Sequence, residues 1–407
     1  MTNASRTPHT LRLERRKSSQ PPVRMLHIIT RMIRGGADEN TLATVKGLDK
    51  RRYHVDLVVG EGSELDLLDG LEGVSVHVMP ALVRDPDPLK DLKALFQLAW
   101  LIRHHRYQVV HTHTAKGGFL GRIASAMAGT QIIIHTVHGV TFHEHLSAPR
   151  RAFYVMLERI AARFTHQFVA VGEDVMNIYV NSGIGQAAAY ETIYSGMPLD
   201  EYFEAGRMPA PERQALRAEL GLLPEHQAVT MVARLEARKG HRYLFESVRR
   251  ARARYPELRV LLVGDGALRA TLEQQAGEMG VADVVTFLGH RTDVPRVLAA
   301  SDISVLTSLW EGLPRVLVQA AATGKPIVTF DVEGAWEVVR DGRNGFIVQS
   351  RDVAAFTDRL ESLLADRDNA RLLGEAGRDQ IGSQWTLETM LERLDRLYQR
   401  LTSRSAA

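Results

Sequence analysis

Short runs of β-branched and aliphatic residues alternate with helical hydrophobic patterns along almost the whole chain, and this rhythm constrains the fold more than any other feature. Strand-like runs fall at Met25–Thr30, His54–Val59, Val74–Met79, Gln108–His111, Ile132–Val137 and Gln167–Val171. Helical patterns separate them near Asn40–Leu48, Leu89–Arg106, Gly118–Met127 and Ala152–Arg163. The rhythm then restarts. Strand-like runs follow at Ala228–Ala233, Arg259–Val263, Val284–Phe287, Ile303–Leu306, Ile327–Phe330 and Gly345–Val348, with helical patterns such as Arg242–Tyr255, Leu268–Met279 and Arg315–Thr323 between them. Strict alternation implies parallel sheets covered by helices on both faces, and two such series imply two doubly wound α/β domains.

The 407 residues divide naturally. Residues 1–22 read as a disordered basic tail, 23–203 as an N-terminal Rossmann-like domain, 204–222 as a linker interrupted by Pro209 and Pro211, and 223–384 as a second Rossmann-like domain. Residues 385–407 read as a terminal helix that closes one domain against the other. Two such domains facing across a cleft bring the carboxyl ends of both sheets to opposite walls, where folds of this type bind ligands.

Charge narrows the class. Apolar residues make up 45% of the chain and charged residues 24%, so each half can bury a core and a disordered chain is excluded. The longest uncharged stretch, Ile123–Phe142, contains Thr130, Gln131, His135, Thr136, His138 and Thr141, too many polar groups for a membrane span. No apolar run suitable for a signal peptide lies in the first twenty residues, and a cytoplasmic protein is expected. There is no cysteine, which excludes disulfides, thiolate zinc sites and cysteine nucleophiles.

The net charge of +3 is unevenly spread. Residues 1–24 hold six cations against Glu14 alone. From Leu92 to His143 there is no acidic residue, but Lys93, Arg103, Arg106, Lys116, Arg122 and seven histidines. That stretch should attract anions and gain charge as the pH falls below 7. Contact with an anionic membrane at the inner face of the plasma membrane is expected. Nucleic acid is not, because no aromatic residues interleave the basic ones.

Three segments carry chemistry. Val263-Gly264-Asp265-Gly266 follows a strand, but a dinucleotide fingerprint needs glycine where Arg269 stands, which argues against a nicotinamide enzyme. Arg234 and Lys239 leave the end of the second domain's first strand, a setting suited to a diphosphate. In Ser308–Gln319, Pro314 suits a first helical turn, and the N–H groups of Arg315 and Val316 are expected to stay free at the positive end of the helix. Glu311 and Gln319 stand roughly 12 Å apart at 1.5 Å per residue, so the pair can bracket an extended ligand.

With these motifs in order, the chain resembles glycosyltransferase family 4, the retaining nucleotide-sugar enzymes of the GT-B fold. The resemblance runs from about residue 24 to 400. It rests on Gly35-Gly36-Ala37, His111–Gly118, Thr136-Val137-His138-Gly139, Tyr194-Ser195-Gly196-Met197, the Arg234/Lys239 pair, Phe287-Leu288-Gly289, the Glu311 helix, Glu333-Gly334 with Glu337, Asp341-Gly342 and Asn344-Gly345-Phe346. The resemblance implies that Arg234 and Lys239 hold the donor diphosphate and that the Gly289-His290-Arg291 loop meets the base. It implies that Glu311 takes hexose hydroxyls, that the amides of Gly312, Leu313, Arg315 and Val316 lie near sugar and phosphates, and that position 319 takes the ribose. Gly35 and Gly36 would approach the donor, and His138 would reach its hexose, with Glu311 and His138 the catalytic pair. Two positions depart from the family pattern: Gln319 replaces a glutamate and Ser195 an asparagine.

The expected reaction moves a hexose or N-acetylhexosamine from a UDP-linked donor to a lipid-linked or polysaccharide acceptor in cell-surface glycan assembly. No metal or other cofactor is expected; His111 and His113 show no zinc-like spacing with a clear third ligand. A nucleotide-sugar epimerase of the same architecture and a non-catalytic nucleotide-sugar-binding protein are the alternatives.

Overall fold

The computed structural model describes residues 21–406, so residues 1–20 of the expected basic tail lie outside the described residues. Two parallel sheets dominate. The first contains β1 (Val23–Ile29), β2 (Tyr53–Gly60), β3 (Val74–Met79), β4 (Val109–His113), β5 (Ile132–Val137), β6 (Gln167–Ala170) and β7 (Tyr190–Thr192), in the order β3-β2-β1-β4-β5-β6-β7. The second contains β8 (Gln227–Val232), β9 (Leu258–Val263), β10 (Val285–Gly289), β11 (Ile303–Leu306), β12 (Ile327–Phe330) and β13 (Gly345–Val348), in the order β10-β9-β8-β11-β12-β13. Each order reverses direction once, between β1 and β4 and between β8 and β11. At those two points the loops leaving adjacent strands splay to opposite faces and open a crevice.

Central strands are buried on both faces because helices cover both. On one face of the first sheet, Leu26, Ile28 and Val110 pack under helices Pro88–His105 and Ala115–Ala128. On the other, Met25, Val55 and Val109 pack with Met390, Leu394, Leu397 and Tyr398 of helix Leu387–Ala406. This last helix follows the second domain in sequence but completes the core of the first. Each such buried side chain contributes about 1.5–3 kcal/mol of hydrophobic stabilisation. The crossing is stitched by Met197, whose N–H donates to the Trp385 carbonyl at 3.0 Å and whose carbonyl accepts from the Leu387 N–H at 3.2 Å.

The segment expected as a linker is mostly helical. Asp200–Ala205 and Ala210–Glu219 are helices, and Pro209 caps the second rather than interrupting the pattern. Arg217, buried on that helix, donates to the carbonyls of Ala300 and His226 at 2.7 and 2.6 Å, tying the segment to the second sheet. Among the described residues no helix is long and apolar enough to cross a membrane.

Candidate active site

The second domain's wall is built on the loops after β8 and β11. After β8 the chain makes a short 3₁₀ turn, Ala237–Lys239, that ends at Gly240 with φ +66°. A Cβ at Gly240 would lie 2.1 Å from the Thr307 carbonyl oxygen, so only glycine lets the loop close on the end of β11. This closure turns Lys239 inward.

Lys239 Nζ ion-pairs with Glu311 Oε1, and Arg238 Nη1 reaches Glu311 Oε2 at 3.0 Å. Glu236 bridges Arg234 at 3.0 Å and Arg238 at 3.3 Å. Burial alone would raise the Glu311 pKa, but Lys239 and Arg238 outweigh it and hold the carboxyl below its ordinary value. Burial also lowers the Lys239 pKa, against the opposing pull of Glu311. Three cations thus meet two carboxylates at the crevice of the second sheet.

The helix after β11 departs from expectation at its first amide. The helix is Arg315–Ala322 with Pro314 as its cap, and the Arg315 N–H is not free, because it donates to the Leu313 carbonyl at 2.9 Å in a tight turn. The Arg315 side chain crosses the cleft instead, donating to the Gly36 carbonyl at 3.2 Å and to Glu39 at 2.8 Å. Leu313 is buried and Val316 and Gln319 are half-buried, and the Gln319 amide has no hydrogen-bond partner among the described residues. Gly289, at φ +68°, accepts the Gly264 N–H at 2.8 Å through its carbonyl, and the Arg291 fork grips Asp293 at 2.8 and 2.6 Å.

The first domain's wall is built differently. Gly35 and Gly36 lead from β1 into helix Gly36–Gly47, whose first turn carries Asp38. Burial raises the Asp38 pKa to about 7. After β4, Thr114 adopts a left-handed φ of 59° and meets Thr30 Oγ1 at 2.8 Å, and the Gly117 N–H donates to that same oxygen at 2.8 Å.

Inside this wall the histidines touch one another. β1 and β4 are in register at His27 and His111. His27 Nδ1 lies 3.0 Å from His113 Nε2, and His113 Nδ1 lies 3.0 Å from His138 Nε2. His111 bonds Tyr398 Oη and Thr136 Oγ1, each at 2.7 Å. The structure thus supplies the third histidine that the sequence did not: nitrogens of His27, His111 and His113 lie within 4.8 Å of one another, close enough to hold a metal ion. Every one of those nitrogens already faces a hydrogen-bonding partner, so a metal would have to displace several bonds.

Burial lowers the pKa of His27 and His138 to about 3 and pushes His111, His113 and His135 down as well. Of the histidines in the acid-free stretch, His111, His113, His135 and His138 are therefore not the ones that gain charge as the pH falls below 7. Arg122 is also no surface cation, being fully buried against Glu158 at 2.7 Å.

The walls meet. A Cβ on Gly312 would lie 1.9 Å from the His138 carbonyl oxygen, so the Glu311 loop rests directly on the His138-Gly139 backbone. Glu337 accepts from the N–H groups of Glu173 and Asp174 at 3.1 and 3.2 Å, and Asp174 returns the bond by accepting from the Gly334 N–H at 3.0 Å. His143 stacks on Trp310 with ring centroids 4.2 Å apart. Glu311, Arg234, Lys239 and His138 thus line one junction, and Gly36 joins it through Arg315. Arg238 and Asp38 belong to it too and His27 lies behind it through His113, although spacing singled out none of them; Arg238 lies inside the segment that drew attention to its neighbours.

Comparison with known proteins places this geometry. Residues 212–380 match the family "Glycosyl transferases group 1", and residues 35–196 match "Glycosyl transferase 4-like domain". The chain is 28% identical over 392 residues to the Escherichia coli protein "UDP-Gal:alpha-D-GlcNAc-diphosphoundecaprenol alpha-1,3-galactosyltransferase", covering 94% of this chain and 98% of that one. It is 30% identical over 302 residues to "Putative glycosyltransferase EpsD" of Bacillus subtilis (strain 168), covering 72% of this chain and 77% of that one. In fold it matches Anabaena Alr3699/HepE in complex with UDP and glucose, with a TM-score of 0.79, 22% identity and coverage of 93% of this chain and 100% of that one. Family models on both halves of the chain, a relative over nearly its whole length and a shared fold agree: the chain belongs to the family-4 glycosyltransferases of the GT-B fold.

Proposed function

We propose that this glycosyltransferase moves a hexose or N-acetylhexosamine from a UDP-linked donor to a lipid-linked or polysaccharide acceptor, with retention of anomeric configuration. The observation that carries the reading is the inward-turned Lys239 and Arg238 held on Glu311 at the crevice of the second sheet, on whose loop Gly312 rests against the His138 backbone. A nucleoside diphosphate is a good leaving group, so the enzyme mainly needs cations where negative charge develops. Arg234, Arg238 and Lys239 supply them. As the diphosphate takes up these cations, the Glu311 oxygens become available to accept hexose hydroxyls, and Gln319 accepts a ribose hydroxyl through its amide oxygen.

Front-face attack, in which the departing phosphate takes the acceptor proton, needs no carboxylate nucleophile. Neither a metal ion nor nucleic acid has a part in this reading. Thermal shift with UDP-, GDP- and ADP-sugars tests the donor; stabilisation by GDP- or ADP-sugars alone would refute UDP. Full turnover in EDTA is expected, and loss of turnover restored by a divalent cation would refute the metal-free reading. Conversion of a UDP-sugar with no acceptor present would favour an epimerase.

The acceptor reading draws support from the outer face of the first domain. Helix Pro88–His105 exposes Leu89, Leu92, Phe96 and Trp100 along one stripe, bordered by exposed Lys93 and Arg103. Helix Ala148–Ala162 exposes Phe153 and Met156 beside Arg150, Arg151 and Arg159. Both helices flank Ala115–Ala128, and such apolar stripes rimmed by cations suit an anionic lipid surface. A lipid-linked acceptor would be presented there, at the inner face of the plasma membrane. Co-sedimentation with anionic liposomes at low salt, lost in Trp100→Glu, is expected; equal partitioning onto neutral liposomes would refute it.

A further inference from the structure

The buried histidines of the first domain form a file with a direction. His27 Nε2 lies 3.3 Å from Met25 Sδ, and a thioether can only accept. That nitrogen therefore carries the proton. His27 Nδ1 is then a bare acceptor, so its neighbour His113 Nε2, 3.0 Å away, must be the N–H donor. The same logic passes one residue on: His113 Nδ1 accepts, and His138 Nε2 donates to it at 3.0 Å. In the reversed order a lone pair on His27 would face the lone pairs of sulfur, and one hydrogen bond of about 1 kcal/mol would be lost. Charging any ring is disfavoured by burial, which leaves each with one proton and one lone pair.

His138 Nδ1 is the free end of this file and has no partner among the described residues. It belongs to the only ring of the three that is not fully buried, at the point where the Glu311 loop meets the first domain. We propose that His27 and His113 are positioning residues that lock His138 as the Nε2–H tautomer, so that its Nδ1 accepts a hydrogen bond from a hydroxyl of the donor sugar. The file ends at a thioether, so it transmits orientation, not a net proton. This rests on the donor-site reading above.

Long-range 1H–15N spectra of the full chain, labelled at histidine and assigned by substitution, read the tautomers without any donor. Bare Nδ1 and protonated Nε2 are expected at His27, His113 and His138. Protonated Nδ1 at His138, or stoichiometric zinc in the purified protein, would overturn the lock. Binding gives the functional arm, with UDP-galactose and UDP as probes. His27→Leu removes the acceptor for His113 and should weaken UDP-galactose about fivefold, the worth of one neutral hydrogen bond. UDP, which lacks the sugar, should bind as to wild type. His27→Asn places an amide oxygen where Nδ1 stood and should restore UDP-galactose binding. Equal weakening of UDP and UDP-galactose would show a merely structural role and overturn the proposal, as would unchanged binding in His27→Leu. If wild type binds UDP-galactose no differently from UDP, the donor reading fails, and the tautomer lock is still decided by the spectra.

Discussion

The two walls of the cleft bury polar groups by opposite means. The first domain backs its crevice with neutral rings: His138 reaches it, and His113 and His27 stand behind, fully buried and hydrogen-bonded in file. The second lines its crevice with full charges, Arg234, Arg238 and Lys239 against Glu236 and Glu311. A neutral file costs little to bury once its hydrogen bonds are satisfied, and it can hold lone pairs in fixed directions. A charged cluster is costly to bury without partners, but it can exchange an internal carboxylate for an incoming anion. The first arrangement suits recognition of hydroxyls and the second suits grip on a diphosphate.

The largest expected effect breaks the charged wall. Glu311→Ala should lower turnover about 100-fold, the usual cost of losing one preorganised polar contact to the transition state. Because Lys239 and Arg238 lose their buried partner, stability should fall too, by about 1–3 kcal/mol in urea unfolding. Wild-type turnover in Glu311→Ala would remove it from the site. Arg238→Ala and Lys239→Ala should each weaken UDP binding about tenfold by calorimetry, with the double variant less than additive because both act on one anion. An additive double variant would mean the two contact different groups.

Acid should act on the first wall in two opposite senses. His27 and His138 have folded pKa values of about 3 against an ordinary 6.5, so the stability they confer is present above 6.5 and lost as the pH falls below it. Each should make unfolding more favourable by about 1.4 kcal/mol per pH unit over that window. Asp38 runs the other way. Its pKa rises from 3.8 to about 7, so its contribution is present below 3.8 and lost as the pH rises through 7. Urea midpoints of wild type and Asp38→Asn from pH 4 to 8 should converge at the acid end and part at the alkaline end, with the variant the more stable there; parallel curves would contradict the assignment. The smallest effect is at position 319. Gln319→Glu should tighten UDP by about 1 kcal/mol if the side chain takes a ribose hydroxyl, and unchanged affinity would place it elsewhere.

Much of this architecture is legible in sequence because period carries it. A strand such as Ile132–Val137 sits between two neighbours under two layers of helix, so it is buried on both faces and its apolar start, Ile132–Ile134, stands out. Tyr190–Thr192 is only three residues long at the sheet edge and leaves no such trace. The site is legible where a loop follows a strand at a reversal point, as with Lys239 and Glu311. Which of several adjacent cations turns inward is not, since Arg238 and Lys239 have the same charge and the decision is made by the Gly240 closure. The histidine file is invisible for another reason: His27 reaches His113 only because β1 and β4 are neighbours, across 86 positions of chain.

The helix Leu387–Ala406 has a consequence for how the protein is made. Until it arrives, Tyr53, Val55 and Val109 face solvent where Leu394, Leu397 and Tyr398 will sit. On a ribosome, synthesis of the stretch from Met197 to Trp385 takes on the order of 10–40 s. During that time the first domain exists as a nascent sheet with one apolar flank uncovered, while the second can already close its own core. Order of birth and order of completion are therefore reversed, and the interval is a window for chaperone capture. A premature stop anywhere before Met390 would leave the earlier half exposed, however intact its own codons.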